Sequence, residues 1–247
     1  MAKKNRARTV DSITDCACVI HGTGYDWQYV EKLYNMLSRN LPNGIRFHVY
    51  TEATRPVPDH MIKHALQEWP GIAGPKREWW YKMQLFNPEH YSGNLLYMDL
   101  DVVIIDDVSW IPCLHTDYFW TIKDFRYLQK SAFTGMNSSI MWWNTKNFEH
   151  IWQDFCKIPI DNVVRQYQGD QDYLGVVIDH NRRRYFETPR VQSWRWEVAD
   201  GGYNFQQRKA INPGSGAKLN SQASVLVFHG RPKPHEINDP VIQNFWR

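Results

Sequence analysis

The run Leu95-Leu96-Tyr97-Met98-Asp99-Leu100-Asp101-Val102-Val103-Ile104-Ile105 is almost wholly apolar, and two aspartates interrupt it. Apolar density of this kind predicts a buried strand, with the acidic pair at its end. Side chains on a strand alternate between faces, so Asp99 and Asp101 are expected to project from the same one. Two carboxylates side by side repel unless a cation lies between them or one stays protonated. A divalent ion is the natural partner, and oxygen donors suit Mg2+ or Mn2+. Spacing alone does not decide the matter. A chain with 17 aspartates contains about one Asp-x-Asp by chance, and Asp170-Gln171-Asp172 is a second example. A solvated strand end explains the spacing equally well. The apolar setting favours the first pair, because carboxylates buried without a counter-ion are strongly destabilising.

Upstream, Cys16–Ile20 reads as a short buried strand that runs into His21-Gly22-Thr23-Gly24-Tyr25. Asp26 can cap the following helix, in which Val30, Leu33 and Leu37 share a face. Ile45–Tyr50 is a second strand. Met61, Ile62, Ala65, Leu66 and Trp69 fall at helical spacing and predict a helix ending at Pro70-Gly71, and Trp79–Phe86 a short helix stopped by Asn87-Pro88. Downstream, Phe119–Ile122, Ser139–Trp143 and Ser224–Phe228 read as strands. Phe148, Ile151, Trp152 and Phe155 mark an amphipathic helix. Strands alternating with helices predict an α/β fold with a mostly parallel central sheet flanked by helices. Ligands of such sheets bind at the carboxyl ends of the strands, where the acidic pair falls. Without an internal repeat or linker, residues 13–247 form one domain behind a flexible basic leader, residues 1–12. Gly201–Gln222 is polar and predicted to be a mobile loop near the site.

Composition narrows the class. Of 247 residues, 43% are hydrophobic and 22% charged, which excludes a disordered chain. The net charge of +3 owes part of its excess to Lys3, Lys4, Arg6 and Arg8, which read as a solvated terminus rather than a nucleic-acid or membrane contact. No stretch reaches the ~20 apolar residues of a membrane span, and no export signal is recognisable. Cys16 and Cys18 share a strand face, which disfavours a disulfide framework and favours a reduced, cytoplasmic setting. A zinc site from Cys16, Cys18 and His21 lacks a second ligand pair. The 12 Trp and 13 Tyr could serve as sugar or base platforms, but Trp142, Trp143, Trp194 and Trp196 read as packing residues.

The segment Leu96–Ile104 resembles the metal-binding motif of GT-A glycosyltransferases, in particular glycosyltransferase family 8, which includes glycogenin and bacterial lipopolysaccharide galactosyltransferases. Four other blocks are similar to that family in the same order. They are Trp80-Tyr81-Lys82-Met83, Met136-Asn137-Ser138-Ser139-Ile140, Gly169-Asp170-Gln171 and Phe228-His229-Gly230-Arg231-Pro232-Lys233-Pro234. The wording is nearest to short bacterial or phage members. The resemblance implies a GT-A (Rossmann-like) domain and a hexosyltransferase that uses a nucleotide-sugar donor, usually a UDP-sugar, and retains anomeric configuration. It implies that Asp101 and His229 ligate Mn2+ (or Mg2+), with Asp99 shared between metal and ribose. Ile20, His21, Gly22, Tyr25 and Leu100 would line the nucleotide pocket. Lys82, Gly230 and Lys233 would approach the diphosphate, and Asn137, Ser138, Asp170 and Gln171 would surround the transferred sugar. Asp170, Gln171 and Lys82 are the expected catalytic residues, and a carbohydrate or glycoconjugate the acceptor.

Read without the resemblance, His229 is a satisfied structural histidine after Val225–Phe228, Lys82 a residue lying along its helix, and Asp170 an ordinary helix start. Two other functions are compatible with an acidic α/β site. One is a nucleotidyltransferase acting on a sugar phosphate, although His21-Gly22-Thr23-Gly24 has no adjacent Lys or Arg to hold a triphosphate. The other is a non-catalytic carbohydrate-binding protein that uses the aromatic residues.

Overall fold

A computed structural model describes residues 12–70, 72, 77–128, 130–199, 203–204, 209–210 and 219–247. The basic leader and most of Gly201–Gln222 lie outside the described residues. In chain order the elements are β1 (Thr14–Val19), α1 (Gln28–Asn40), β2 (Ile45–Thr51), β3 (Ile62–Ala65), a 3-10 helix over Glu78–Phe86, β4 (Asn94–Met98), β5 (Val102–Ile104), β6 (Phe119–Lys123) and β7 (Met136–Asn144). There follow α2 (His150–Cys156), α3 (Ile160–Gln166), α4 (Asp170–Val177), β8 (Arg183–Tyr185), β9 (Val191–Ser193), β10 (Tyr203–Asn204), β11 (Lys209–Ala210), β12 (Val225–Val227) and α5 (Pro240–Phe245).

Seven strands form the central sheet in the order β3-β2-β1-β4-β7-β6-β8. Parallel pairing joins β1 to β2 and β4, β2 to β3, and β6 to β8; β7 runs antiparallel between β4 and β6. The mostly parallel α/β sheet is as expected. Its parallel core is buried on both faces, so β1, β2 and β4 are rich in apolar residues instead of alternating. One core packs α1 through Val30, Leu33 and Leu37 against Cys16, Cys18 and Leu96; the other packs the 3-10 helix and α2 against Tyr97, Met141 and Trp143. Cys16 and Cys18 are buried thiols with no disulfide between them. Trp142, Trp143 and Trp194 are core residues, in line with the packing reading.

Two local expectations are corrected. Met61–Trp69 is not a helix: its centre is β3, paired with β2 from His48↔Ile62 to Thr51↔Ala65. The helical spacing of its apolar residues loses to the ladder offered by the open edge of β2, and Met61 and Leu66 are buried at the two ends of the strand while Ile62 stays exposed. Nor do Asp99 and Asp101 sit on a strand. They occupy a turn, closed by Val102 N–H donating to Asp99 O at 3.2 Å, where the chain leaves the central sheet. It then enters a second sheet of order β5-β12-β9.

The β2–β3 edge carries a polar cluster remote from that turn. Arg46 donates twice to Asp15, at 2.7 and 2.6 Å, and His48 Nε2 lies 2.9 Å from the same carboxylate. His48 Nδ1 lies 2.9 Å from His64 Nε2, and the His64 ring stacks on Tyr50. Burial, and then the neighbouring His48 and His90, pull His64 down to about 4 from an ordinary 6.5. A base depressed by folding binds fewer protons folded than unfolded, so its contribution is complete above pH 6.5 and is lost as pH falls from 6.5 to about 4. His229, brought down to about 3, adds in the same direction. Calorimetric melts should therefore show the melting temperature falling across that window, with a shallower fall in His64→Gln; identical slopes in the two proteins would contradict the assignment.

Candidate active site

The registers of the two sheets assemble one cavity of about 640 Å3 at the carboxyl ends of β1 and β4. In the central sheet Ala17 pairs with Tyr97, and Asp99 N–H donates to Ser139 O at 2.8 Å. The loop after β1, the acidic turn and the start of β7 therefore lie at one level. In the second sheet Val227 pairs with Val102 and with Ser193, which brings the segment after β12 to the same turn. His21, Tyr25, Lys82, Asp99, Leu100, Asp101, Asn137, Ser138, Asp170, Gln171, His229, Gly230 and Lys233 all line the cavity. Two expected residues do not. Ile20 is buried in the core beneath it, because its strand-end position points inward, and Gly22 is turned toward neighbouring side chains.

Gly22 has φ +63°, and a Cβ there would collide with Glu78 Oε1. Its N–H donates to Glu52 Oε1 and its carbonyl accepts from Arg55 Nη2, each at 2.6 Å. Arg55 and Glu52 are themselves paired at 2.8 Å, so one ion pair fixes both polar groups of the peptide turn. His21 stacks on Tyr81 with ring centroids 4.1 Å apart, and its Nε2 lies 3.1 Å from Glu68. Tyr25 reaches across to donate to Asp101 Oδ2 at 2.8 Å.

Lys82 arrives on the 3-10 helix and is only 9% exposed. Its ammonium lies 2.8 Å from Asp99 Oδ1, 3.7 Å from Asp170 Oδ2 and 3.3 Å from Ser138 Oγ. Ser138 donates to Asp170 Oδ2 at 2.6 Å, and Tyr97 to Asp99 Oδ1 at 2.6 Å. Burial favours the neutral form of every ionisable group here. For Lys82 it is outweighed by Asp170 and Asp99, which raise its pKa above the ordinary lysine value. For Asp99, burial is outweighed by Lys82, which holds the carboxyl below its usual range. Asp170 stays raised, chiefly by burial despite Lys82. Asp101, 5% exposed, is also raised by burial and then by the Asp99 charge, although Lys233 pairs with it directly. Lys82 is thus tied to carboxylates rather than held free for a phosphate, as is Lys233.

His229 leaves β12 at Gly230, whose φ is +79°. Its Nε2 lies 2.7 Å from Ser193 Oγ, and its ring stacks on Phe125. Burial, and then Arg195, keep it neutral, the form that can ligate a metal. Asp99, Asp101 and His229 therefore offer two carboxylates and a neutral imidazole to one cavity, a donor set that suits Mn2+ or Mg2+. They are not gathered into a ligand shell: among the described residues no three His, Cys, Asp or Glu side chains are close enough to hold a metal ion.

Sequence reading missed Tyr97, Ser139, Ser193 and the Glu52–Arg55 pair. Tyr97 was recoverable, since it stands two residues before Asp99, on the strand that runs into the acidic turn. Ser193 carries no local signal, because the second sheet alone brings it to His229.

Removing the Lys82 charge strands two buried aspartates. Lys82→Met is expected to cost about 3–5 kcal/mol at pH 7, the usual penalty for breaking a buried ion pair from one side. Part of that cost should disappear in acid, where the aspartates protonate. Urea unfolding at neutral and acid pH measures both, and a variant as stable as the parent at pH 7 would show that the ammonium neutralises nothing.

No family model matches the sequence, and no curated protein matches it. Solved structures share the fold. Galactosyltransferase LgtC, in complex with donor and acceptor sugar analogs, aligns with TM-score 0.62 and 13% identity over 94% of this chain and 93% of that one. The glycosyltransferase GlyE of Streptococcus pneumoniae TIGR4 aligns with TM-score 0.64 and 14% identity, over 95% of this chain and 59% of that one. Mouse xyloside xylosyltransferase 1, in its apo form, aligns with TM-score 0.51 and 12% identity over 89% and 98% of the two chains. The likeness spans nearly the whole chain. The chain has the GT-A glycosyltransferase fold.

Proposed function

We propose that this chain is a metal-dependent hexosyltransferase that moves a sugar from a nucleoside diphosphate sugar, a UDP-sugar, to a carbohydrate or glycoconjugate acceptor with retention of configuration. The observation that carries the reading is one cavity on a GT-A fold in which a buried lysine–aspartate network (Lys82, Asp99, Asp170) stands beside the Asp101–Lys233 pair. A binding module has no need of so many buried charges, which are hard to stabilise and typical of reaction centres.

The chemical difficulty is the departure of a nucleoside diphosphate from an anomeric carbon through an oxocarbenium-like transition state. A divalent ion held by Asp99, Asp101 and His229 would supply neutralisation of the leaving diphosphate. The remaining work falls to side chains. Lys233, which pairs with Asp101, lies within reach of a diphosphate at the same carboxylates and would add positive charge where negative charge develops. Lys82 fixes Asp99 and Asp170 in place, so Asp170 faces the transferred sugar as an anchored carboxyl held by Ser138. Gln171 and Asn137 line the cavity beside it and would orient the sugar and the incoming hydroxyl. Retention follows from attack on the face that the leaving group vacates.

The nucleotidyltransferase reading is disfavoured by the first loop. Its Gly22 N–H is already taken by Glu52, and Glu68 and Glu78 flank His21, so carboxylates surround the place where a triphosphate would need cations. No helix among the described residues is long and apolar enough to cross a membrane. We place the chain in the cytoplasm on the buried thiols of Cys16 and Cys18.

Incubation with a panel of nucleotide sugars, with Mn2+ or with chelator, should give release of nucleoside diphosphate from one donor only when metal is present. Asp101→Asn should lower that rate by about 10²–10³-fold, the range for removing one electrostatic contributor to a transition state. Release undiminished by chelator would defeat the metal assignment, and an inverted product by NMR would defeat retention.

A further inference from the structure

Trp79 is 37% exposed, and among the described residues it is the one exposed large hydrophobic side chain that lines the candidate active-site cavity. Its neighbour Trp80 is buried, with Phe155 and Tyr173 packed on it. Trp79 has no ring or cation partner among the described residues. Its place is nevertheless defined. A Cβ at Gly169 would lie 3.1 Å from Trp79 Nε1 and 3.4 Å from Cδ1, so the glycine lets the indole lie against backbone one residue before Asp170. Gln168, Gln171 and Asp172 line the same cavity on this α4 side.

An exposed indole beside amide and carboxylate side chains matches the two aspects of a pyranose, which has an apolar C–H face and a rim of hydroxyls. On the transferase reading proposed above, the donor's nucleotide takes the other residues of the cavity, from Tyr25 to Lys233, and its sugar lies beside Asp170. We propose that Trp79 is the platform of the acceptor subsite: its indole takes the apolar face of the acceptor pyranose, and Gln168 and Asp172 take that sugar's hydroxyls. Asp170 and Gln171 then stand between donor sugar and acceptor. This inference rests on the transferase reading above. It also accounts for a large apolar side chain left open to water in a charged cavity.

The test uses the full chain labelled with 15N at its tryptophan indoles, with the Trp79 signal assigned by its loss in Trp79→Phe. The protein is first titrated with UDP and Mg2+, and then with methyl β-galactoside, methyl α-glucoside and lactose. At least one saccharide should move the Trp79 indole signal, and Trp79→Ala should weaken that saccharide about tenfold, whereas Trp79→Tyr should keep most of the affinity. Phe245→Ala, which removes an exposed aromatic outside the cavity, controls for surface effects. Saccharides that bind without moving Trp79, or bind Trp79→Ala equally well, overturn the subsite. So does UDP moving the Trp79 signal by itself, which would place a base there, and so does UDP binding with no saccharide response. Failure of UDP to bind the parent protein overturns the transferase reading, and the subsite with it.

Discussion

An ammonium group buried between two carboxylates, Lys82 with Asp99 and Asp170, is the interaction on which the rest of the site depends. None of the three would stay charged at this depth alone, because desolvation drives lysines toward the free base and aspartates toward the acid. Lys82 and Asp99 each favour the other's charged form, and with Asp170 they tie four elements at one point. Lys82 comes from the 3-10 helix, Asp99 from the turn after β4, Asp170 from the first turn of α4, and Ser138, which bridges Lys82 and Asp170, from β7. Tyr97 and the Ser139 carbonyl complete the shell around Asp99. Strands β4 and β7 could pair without this network, and Trp80 and Tyr173 would still pack the 3-10 helix against α4, but nothing would then pin Lys82 and Asp170 to the turn at Asp99.

The acidic turn has a second structural role. It is the junction between the two sheets, so Asp99 answers to the central sheet while Asp101 answers to the smaller one. Antiparallel pairing of β12 with β5 from Val227↔Val102 brings the segment His229–Lys233 alongside Asp101. Parallel pairing of β12 with β9 sets Ser193 against the His229 ring. A one-residue slip in either ladder would reverse which side chains face the cavity, and the buried Val102, Val103, Val225 and Val227 oppose such a slip.

The central sheet was legible because its strands are buried on both faces and so appear as apolar runs bounded by polar turns. The periodicity of Val30, Leu33 and Leu37 likewise located α1. The edge was not legible. Strand β3 is exposed along much of its length and carries Ile62, Lys63, His64 and Ala65, a composition that a helix accommodates equally well; only the unpaired side of β2 decides. The acidic pair was read as strand for a related reason, since an apolar run on both sides conceals a change of sheet. Within the site, residues that meet through the local chain, such as Gly169 with Asp170, are visible in sequence. Those that meet through register, such as Ser193 with His229 or Lys82 with Ser138, are not, because no short-range pattern encodes which strand lies next to which. Glu52 and Arg55 fall between these cases: their spacing shows a local ion pair, while their hold on Gly22 depends on β1 and β2 being neighbours.

Charge balance favours a cation in this cavity although, among the described residues, no three ligands are gathered for one. Five carboxyl side chains line the cavity, those of Glu78, Asp99, Asp101, Asp170 and Asp172, against the cationic Lys82, Arg231 and Lys233. Lys82 is committed to aspartates on both sides, and Lys233 to Asp101. A nucleoside diphosphate would bring further negative charge into this surrounding, and of the described cations that line the cavity only Arg231 is not paired with one of its aspartates. Burial and the charge of Asp99 push the Asp101 carboxyl toward the neutral acid, against the pull of Lys233. A divalent ion relieves both difficulties at once. Held by Asp99 and Asp101, it would lower the energy of the two carboxylates and leave Lys233, now paired with Asp101, to face a diphosphate. Under the proposed function, Lys233 and a metal would be alternative counter-ions for the one Asp101 carboxyl.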